Sequence, residues 1–124
     1  MSPSADDLVA RARQHFDRTE PQDLASIASS GGLVVDIRPA AQRADEGELP
    51  GALVIERNVL EWRLDPRSDH RLPIASYSLR VIVVCSEGYT SSLAAASLLD
   101  LGIAGATDLD GGFRAWEAAG LPVK

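Results

Sequence analysis

A chain of 124 residues, 45% hydrophobic and 24% charged, is long enough to bury one real core and too short for two domains of ordinary size. Its formal net charge of −6 argues against nucleic acid and anionic membranes as partners, since both are bound through basic patches. No apolar run reaches the roughly eighteen residues that a membrane span requires, and the polar start MSPSADDLVARAR does not read as a secretory signal, so the cytoplasm is the expected compartment.

Leu8, Val9, Ala12 and Phe16 recur near helical spacing and predict an amphipathic helix over 5–16. Pro21 suits a first helical turn, so 22–28 reads as a second helix, closed by Gly31 and Gly32. LVVDI (33–37) is a short β-branched run and predicts a buried strand. A short helix over 40–46, ended by Gly47, is followed by a Pro-Gly turn that feeds a second strand in LPGALVI (49–55). Asn58 with Glu61 three residues on has the form of a capping box, placing a short helix over 59–64.

DPRSDHRLP (65–73) is an exposed loop. It carries His70, which like His15 has no second ligand at metal spacing. Neither a metal nor a cofactor is expected. Arg80 to Val84 is the strongest strand signal, and 90–101 is apolar nearly all round, a buried helix stopped by Gly102. A last strand over 107–109 and a helix over 113–119 opened by Gly111-Gly112 complete the chain. Strands that are apolar throughout and alternate with helices predict an α/β fold with a mostly parallel sheet covered on both faces. Ligands of such sheets sit beyond the carboxyl ends of the strands.

Cys85, the only cysteine, stands at such an end, in VIVVCSEGYTSSLAAASLLDLG (82–103). A lone cysteine cannot form an internal disulfide, in keeping with a reducing compartment. A strand, a tight loop and a helix start would surround it with backbone N–H groups that have no intrahelical partner. Gly88 gives that loop the freedom a cradle needs, and the helix start favours an anion. Such a site would hold a charged sulfur, with the loop from Ser86 to Ser91 around it. The same residues admit a plainer reading: free cysteines are often simply buried, and Thr90-Ser91-Ser92 would serve as an ordinary helix cap.

Four stretches in this order resemble the rhodanese-like sulfurtransferase domain: VVDIRP (34–39), GELPGALVI (47–55), VVCSEGYTSS (83–92) and GGFRAWEAAGLPV (111–123). The resemblance spans 20–124, with 1–19 as an N-terminal helix and lead-in to what is then one domain. It implies a rhodanese-like fold with a central five-stranded sheet. It also implies a sulfurtransferase in which Cys85 accepts a sulfane sulfur from thiosulfate or a persulfide. The sulfur then passes to a thiol, a cyanide-like acceptor or a protein thiol. By position, Ser86, Glu87, Gly88, Tyr89, Thr90 and Ser91 match the substrate and persulfide cradle, Asp36 and Arg38 a supporting pair, and Trp116 a packing position.

The chain departs from the family where charge matters. Thr90 stands where many active members carry arginine, Glu87 adds a carboxylate, and Glu48 replaces a histidine. A unit charge about 4 Å from another is worth on the order of 1–4 kcal/mol, so this loop should disfavour dianionic thiosulfate unless an arginine leans in from elsewhere. A non-enzymatic sulfur-carrying, sensing or partner-binding module is the alternative function. The related phosphatase and arsenate-reductase chemistry requires a loop one residue longer that ends in an oxyanion-clamping arginine. Position 91 is serine.

Overall fold

The computed structural model describes residues 1–124. Four parallel strands form the sheet: β1 (Leu33–Asp36), β2 (Leu53–Val54), β3 (Arg80–Val84) and β4 (Gly105–Asp108), in the order β2-β1-β3-β4. Six helices surround it: α1 (Ala5–Arg13), α2 (Pro21–Ser29), α3 (Ala40–Glu46), α4 (Leu60–Leu64), α5 (Thr90–Asp100) and α6 (Gly112–Ala118). None of them is long and apolar enough to cross a membrane.

The sheet has four strands, not the five that the family resemblance implies. Beside β4, where a fifth would lie, the chain makes a single parallel bridge between Thr19 and Leu109. Thr19 N–H donates to Asp108 O and Thr19 O accepts from Asp110 N–H, each at 2.8 Å. Pro21 ends the pairing there, since it has no N–H for a ladder and opens α2 instead.

Strand alternation divides the core in two. Val35, Val81 and Val83 point to one face and pack with Leu60 and Leu64 of α4 and Ala94 and Leu98 of α5. Val34, Ile82 and Val84 point to the other, against Leu24 of α2 and Phe113 and Trp116 of α6. Each fully buried aliphatic side chain contributes about 1.5–3 kcal/mol, and both faces of β3 are covered, hence its unbroken apolar run. Trp116 is buried as expected, with its indole N–H donating to Pro122 O at 2.7 Å. His15 and His70 are exposed.

The Asn58–Glu61 capping box does not form. Residues Arg57–Val59 make a 3₁₀ turn, and α4 starts at Leu60 without a side-chain cap. Glu61 instead accepts from Arg57 at 2.9 Å and from the Ser97 hydroxyl at 2.6 Å. Burial pushes its carboxyl up, but these hydrogen bonds and the Arg57 charge prevail and hold it below the usual range.

α1 is an outer layer. Its N-terminus has a real capping box, with Ser4 Oγ accepting from Asp7 N–H at 3.0 Å and Asp7 accepting from Ser4 N–H at 2.9 Å. Val9 and Ala12 are its buried residues, on the side packed against α5. That contact carries Arg13, in the last turn of α1, to the carboxyl end of the sheet, where it meets the loop after β3.

Candidate active site

The carboxyl ends of β1 and β3 lie side by side, with β2 and β4 branching off to opposite edges. The loop from Cys85 to Tyr89 rises from this switch point and runs into α5. Cys85 is 5% exposed and is a free thiol. Gly88 N–H donates to its Sγ at 3.2 Å. Gly88 has φ +87°, a left-handed conformation that glycine adopts without strain, and this turns the chain back over the sulfur.

Three of the loop carbonyls, those of Cys85, Ser86 and Gly88, are taken up by partners outside the loop. Phe113 N–H donates to Cys85 O at 2.8 Å and Arg114 N–H to Ser86 O at 3.0 Å, so the first turn of α6 anchors the loop. Gly112 makes this approach possible. A Cβ there would lie 2.5 Å from Cys85 O. Gly88 O accepts from Arg13 Nη2 and Arg18 Nη2, both at 2.8 Å.

On the open side, a pocket of about 290 Å³ is lined by Gln42, Cys85, Ser86, Glu87, Tyr89 and Thr90. Glu87, Tyr89 and Thr90 are exposed, and no lining residue is cationic. Ser86 Oγ donates to the Glu46 carboxylate at 2.9 Å, which leaves only its lone pairs for a bound molecule. A larger groove of about 610 Å³ lies along the β4 edge between Phe16 and Arg80 and contains no cysteine.

Ser91 and Ser92 do not cap α5. They are fully buried, and their hydroxyls donate to Asp108 Oδ2 at 2.7 and 2.8 Å. Asp108 also takes the Arg18 guanidinium at 2.9 Å, and Arg18 bonds Asp110 at 2.8 Å. Burial disfavours the Arg18 charge, but the bond to Asp108, with the charges of Asp108, Asp110 and the Cys85 thiolate, raises its pKa further above its ordinary value.

Asp36 and Arg38 form a second buried cluster beneath the loop. Arg38 Nη2 bonds Asp36 at 2.7 Å and Gly47 O at 2.9 Å, while Nη1 bonds Glu46 at 3.1 Å. Its guanidinium lies 4.0 Å from the Phe113 ring centre. All three nitrogens are engaged, so Arg38 does not turn to the pocket; it reaches the loop only through Glu46 and Ser86. Burial opposes its charge, and Asp36 and Glu46 outweigh that and raise its pKa. Glu48 pairs with Arg43, away from the pocket lining.

Sequence reasoning assembled the loop and missed its supports. Gln42, Glu46, Asp108, Arg13 and Arg18 touch the loop, its buried serines or its pocket and lie outside every motif named for chemistry, while Ser92 lies in the loop motif but was read only as a cap. The Gly111-Gly112 pair was the one available signal for the α6 anchor.

The family model for the rhodanese-like domain matches residues 20–119. Thiosulfate sulfurtransferase GlpE of Ectopseudomonas mendocina is 35% identical over 104 residues, 83% of this chain and 86% of that protein. The protein of the same name from Pseudomonas fluorescens is 31% identical over 102 residues, 82% of this chain and 84% of that one. Among solved structures, a Rhodopseudomonas palustris protein, described as of unknown function and a possible tyrosine phosphatase, is 28% identical with a TM-score of 0.89. That match covers 100% of this chain and 96% of the other, and so takes in residues 1–19, which the family model leaves out.

Proposed function

This chain belongs to the rhodanese-like domain family, and on that premise we propose that it is a sulfurtransferase working through a persulfide on Cys85. The observation that carries this reading is the Gly88 N–H on Cys85 Sγ at 3.2 Å, in a loop whose Cys85, Ser86 and Gly88 carbonyls are engaged by partners outside it. An anionic sulfur there meets hydrogen-bond donors and the positive end of α5 instead of carbonyl oxygens.

In the first half-reaction the Cys85 thiolate attacks the outer sulfur of the donor. Its electron pair forms the new S–S bond while the donor's S–S bond breaks, and sulfite or a thiolate departs with the released pair. The terminal sulfur of the persulfide keeps the negative charge, beside the Gly88 amide. In the second half-reaction an acceptor thiolate or cyanide attacks that sulfur, and Cys85 leaves as thiolate. No proton has to be stored by the protein, which suits a site without a buried acid or base beside the sulfur.

Between the donors, the open face favours persulfides of low charge over thiosulfate, because Glu87 stands there and no cation answers it. Phosphoryl transfer fits poorly: Ser91 occupies the place where an arginine would clamp the oxyanion, and its hydroxyl is spent on Asp108. The test is intact mass after exposure to a persulfide donor. A gain of one sulfur atom, removed by cyanide or a thiol and absent in Cys85→Ser, is the expected result. A folded parent protein that gains no sulfur from any donor sinks the reading and leaves a binding module in its place.

A further inference from the structure

The two arginines behind the loop converge on one oxygen. Arg13, from α1, gives Nη2–H to Gly88 O at 2.8 Å and Nε–H to Ser92 Oγ at 2.9 Å, and its guanidinium lies 5.8 Å from the Tyr89 ring centre. Arg18, from the lead-in before α2, gives Nη2–H to the same oxygen at 2.8 Å. Both lie ahead of residue 20, where the family match begins. A peptide beside a glycine rotates readily, and one rotated so that its oxygen faced Cys85 would repel a thiolate. In a planar trans peptide the C=O and the following N–H point in opposite directions. Holding Gly88 O against the arginines therefore turns Tyr89 N–H to the opposite side of the peptide, away from them.

The two guanidiniums differ in charge balance. Arg18 is answered by Asp108 and Asp110, and on the other side of the loop Arg38 and Arg114 are answered by Asp36 and Glu46. Glu87 stands unpaired on the open face. Arg13 meets only a carbonyl, a hydroxyl and a ring. It is the one arginine touching the loop whose charge no carboxylate cancels.

We propose that Arg13 and Arg18 are positioning residues for the Cys85 loop, together fixing the Gly88 carbonyl outward, with Arg13 supplying the positive charge that the loop's own sequence lacks. The proposal rests on the reading of Cys85 as the sulfur carrier and adds a segment outside the matched domain to that machinery.

The experiment is the pH dependence of Cys85 alkylation by iodoacetamide in the full-length protein, alongside thermal stability. Cys85 is the only thiol, so the signal is unambiguous. Arg13→Gln is expected to shift the profile to higher pH by about half a unit, a roughly threefold slower reaction on its lower limb. Arg13→Lys should recover most of that shift, because the charge remains. Arg18→Gln should shift the profile in the same direction. Should Asp108, left buried without its cation, prevent that variant from folding, the Arg13 pair decides alone. A folded Arg13→Gln protein with the parent's profile and only a lowered Tm would overturn the proposal and leave a purely structural latch. Alkylation needs no sulfur donor, so a parent that takes up no sulfur sinks the proposed function without touching this result. An unchanged profile beside intact sulfur transfer sinks this inference alone.

Discussion

The Cys85 loop has two sides built on opposite principles. Its buried side is dense and fully satisfied: Asp108, 0% exposed, takes two serine hydroxyls and a guanidinium, and Gly88 O takes two guanidiniums. Its open side is a shallow pocket with an exposed carboxylate, an exposed tyrosine, an exposed threonine and no cation. Groups on the buried side are locked by one another, so removing one leaves a charge or a hydroxyl without a partner in low dielectric. Groups on the open side are wetted by solvent and free to be replaced. The fold and the posture of the sulfur are thus set from behind, while the choice of what approaches the sulfur is set from the front. A substitution behind should cost stability first, and one in front should change donor preference with the stability intact.

The strongest test of that division is Asp108→Ala. It strips Arg18, Ser91 and Ser92 of their shared acceptor, and breaking a buried charge pair from one side costs about 3–5 kcal/mol. The expected result is a large fall in the denaturant midpoint with the slope unchanged, and loss of whatever sulfur transfer the parent shows. A loss under about 1 kcal/mol would mean that water reaches the cluster and the buried side is not as closed as its hydrogen bonds imply.

Glu46→Gln lies between the two sides and should cost less. The amide can still accept from Arg38 or from Ser86, and Arg38 keeps its two-oxygen grip on Asp36. A weakened charge-assisted hydrogen bond of this kind costs about 1–2 kcal/mol. Ser86 also regains some freedom to turn its hydroxyl proton toward the pocket. Equilibrium unfolding of the two variants, side by side, should therefore rank Asp108→Ala well below Glu46→Gln. The reverse order would break the comparison.

The sequence exposes these two sides unequally. Strand β3, the loop and the start of α5 are contiguous, and an apolar run ending in cysteine, a glycine and a helical pattern can be read locally. Helices α3 and α5 were legible for the same reason, each bounded by a glycine. The supports were not, because they are tertiary: Arg13 and Ser92 are 79 residues apart, and Arg18 and Asp108 are 90 apart. No periodicity marks an arginine at a helix end as a ligand for a carbonyl 75 residues away. Ser91 and Ser92 show the opposite failure. Their local chemistry suits a cap, but Asp108 behind them is a stronger acceptor of their protons than the α5 amides are donors to their oxygens. The missing fifth strand is a smaller case of the same kind, since one proline two residues after Thr19 decides how long the edge can pair.

The open side predicts the smallest change and the most specific one. Glu87 makes no hydrogen bond or ion pair through its side chain and is exposed beside Cys85, so Glu87→Gln should leave Tm where it is. Its carboxylate repels a dianionic donor through solvent, an interaction already weakened by exposure. The expected gain in kcat/KM for thiosulfate is accordingly modest, about threefold at low salt. Raising the ionic strength toward 1 M shortens the screening length to about 3 Å and should erase most of the gain. A persulfide donor of little charge should respond to neither the substitution nor the salt. If both donors speed up alike, Glu87 was shaping the loop instead of repelling charge. If thiosulfate is unaffected while the parent already uses it well, the Arg13 charge behind the loop reaches through to the pocket, and the front would then not set donor choice by itself.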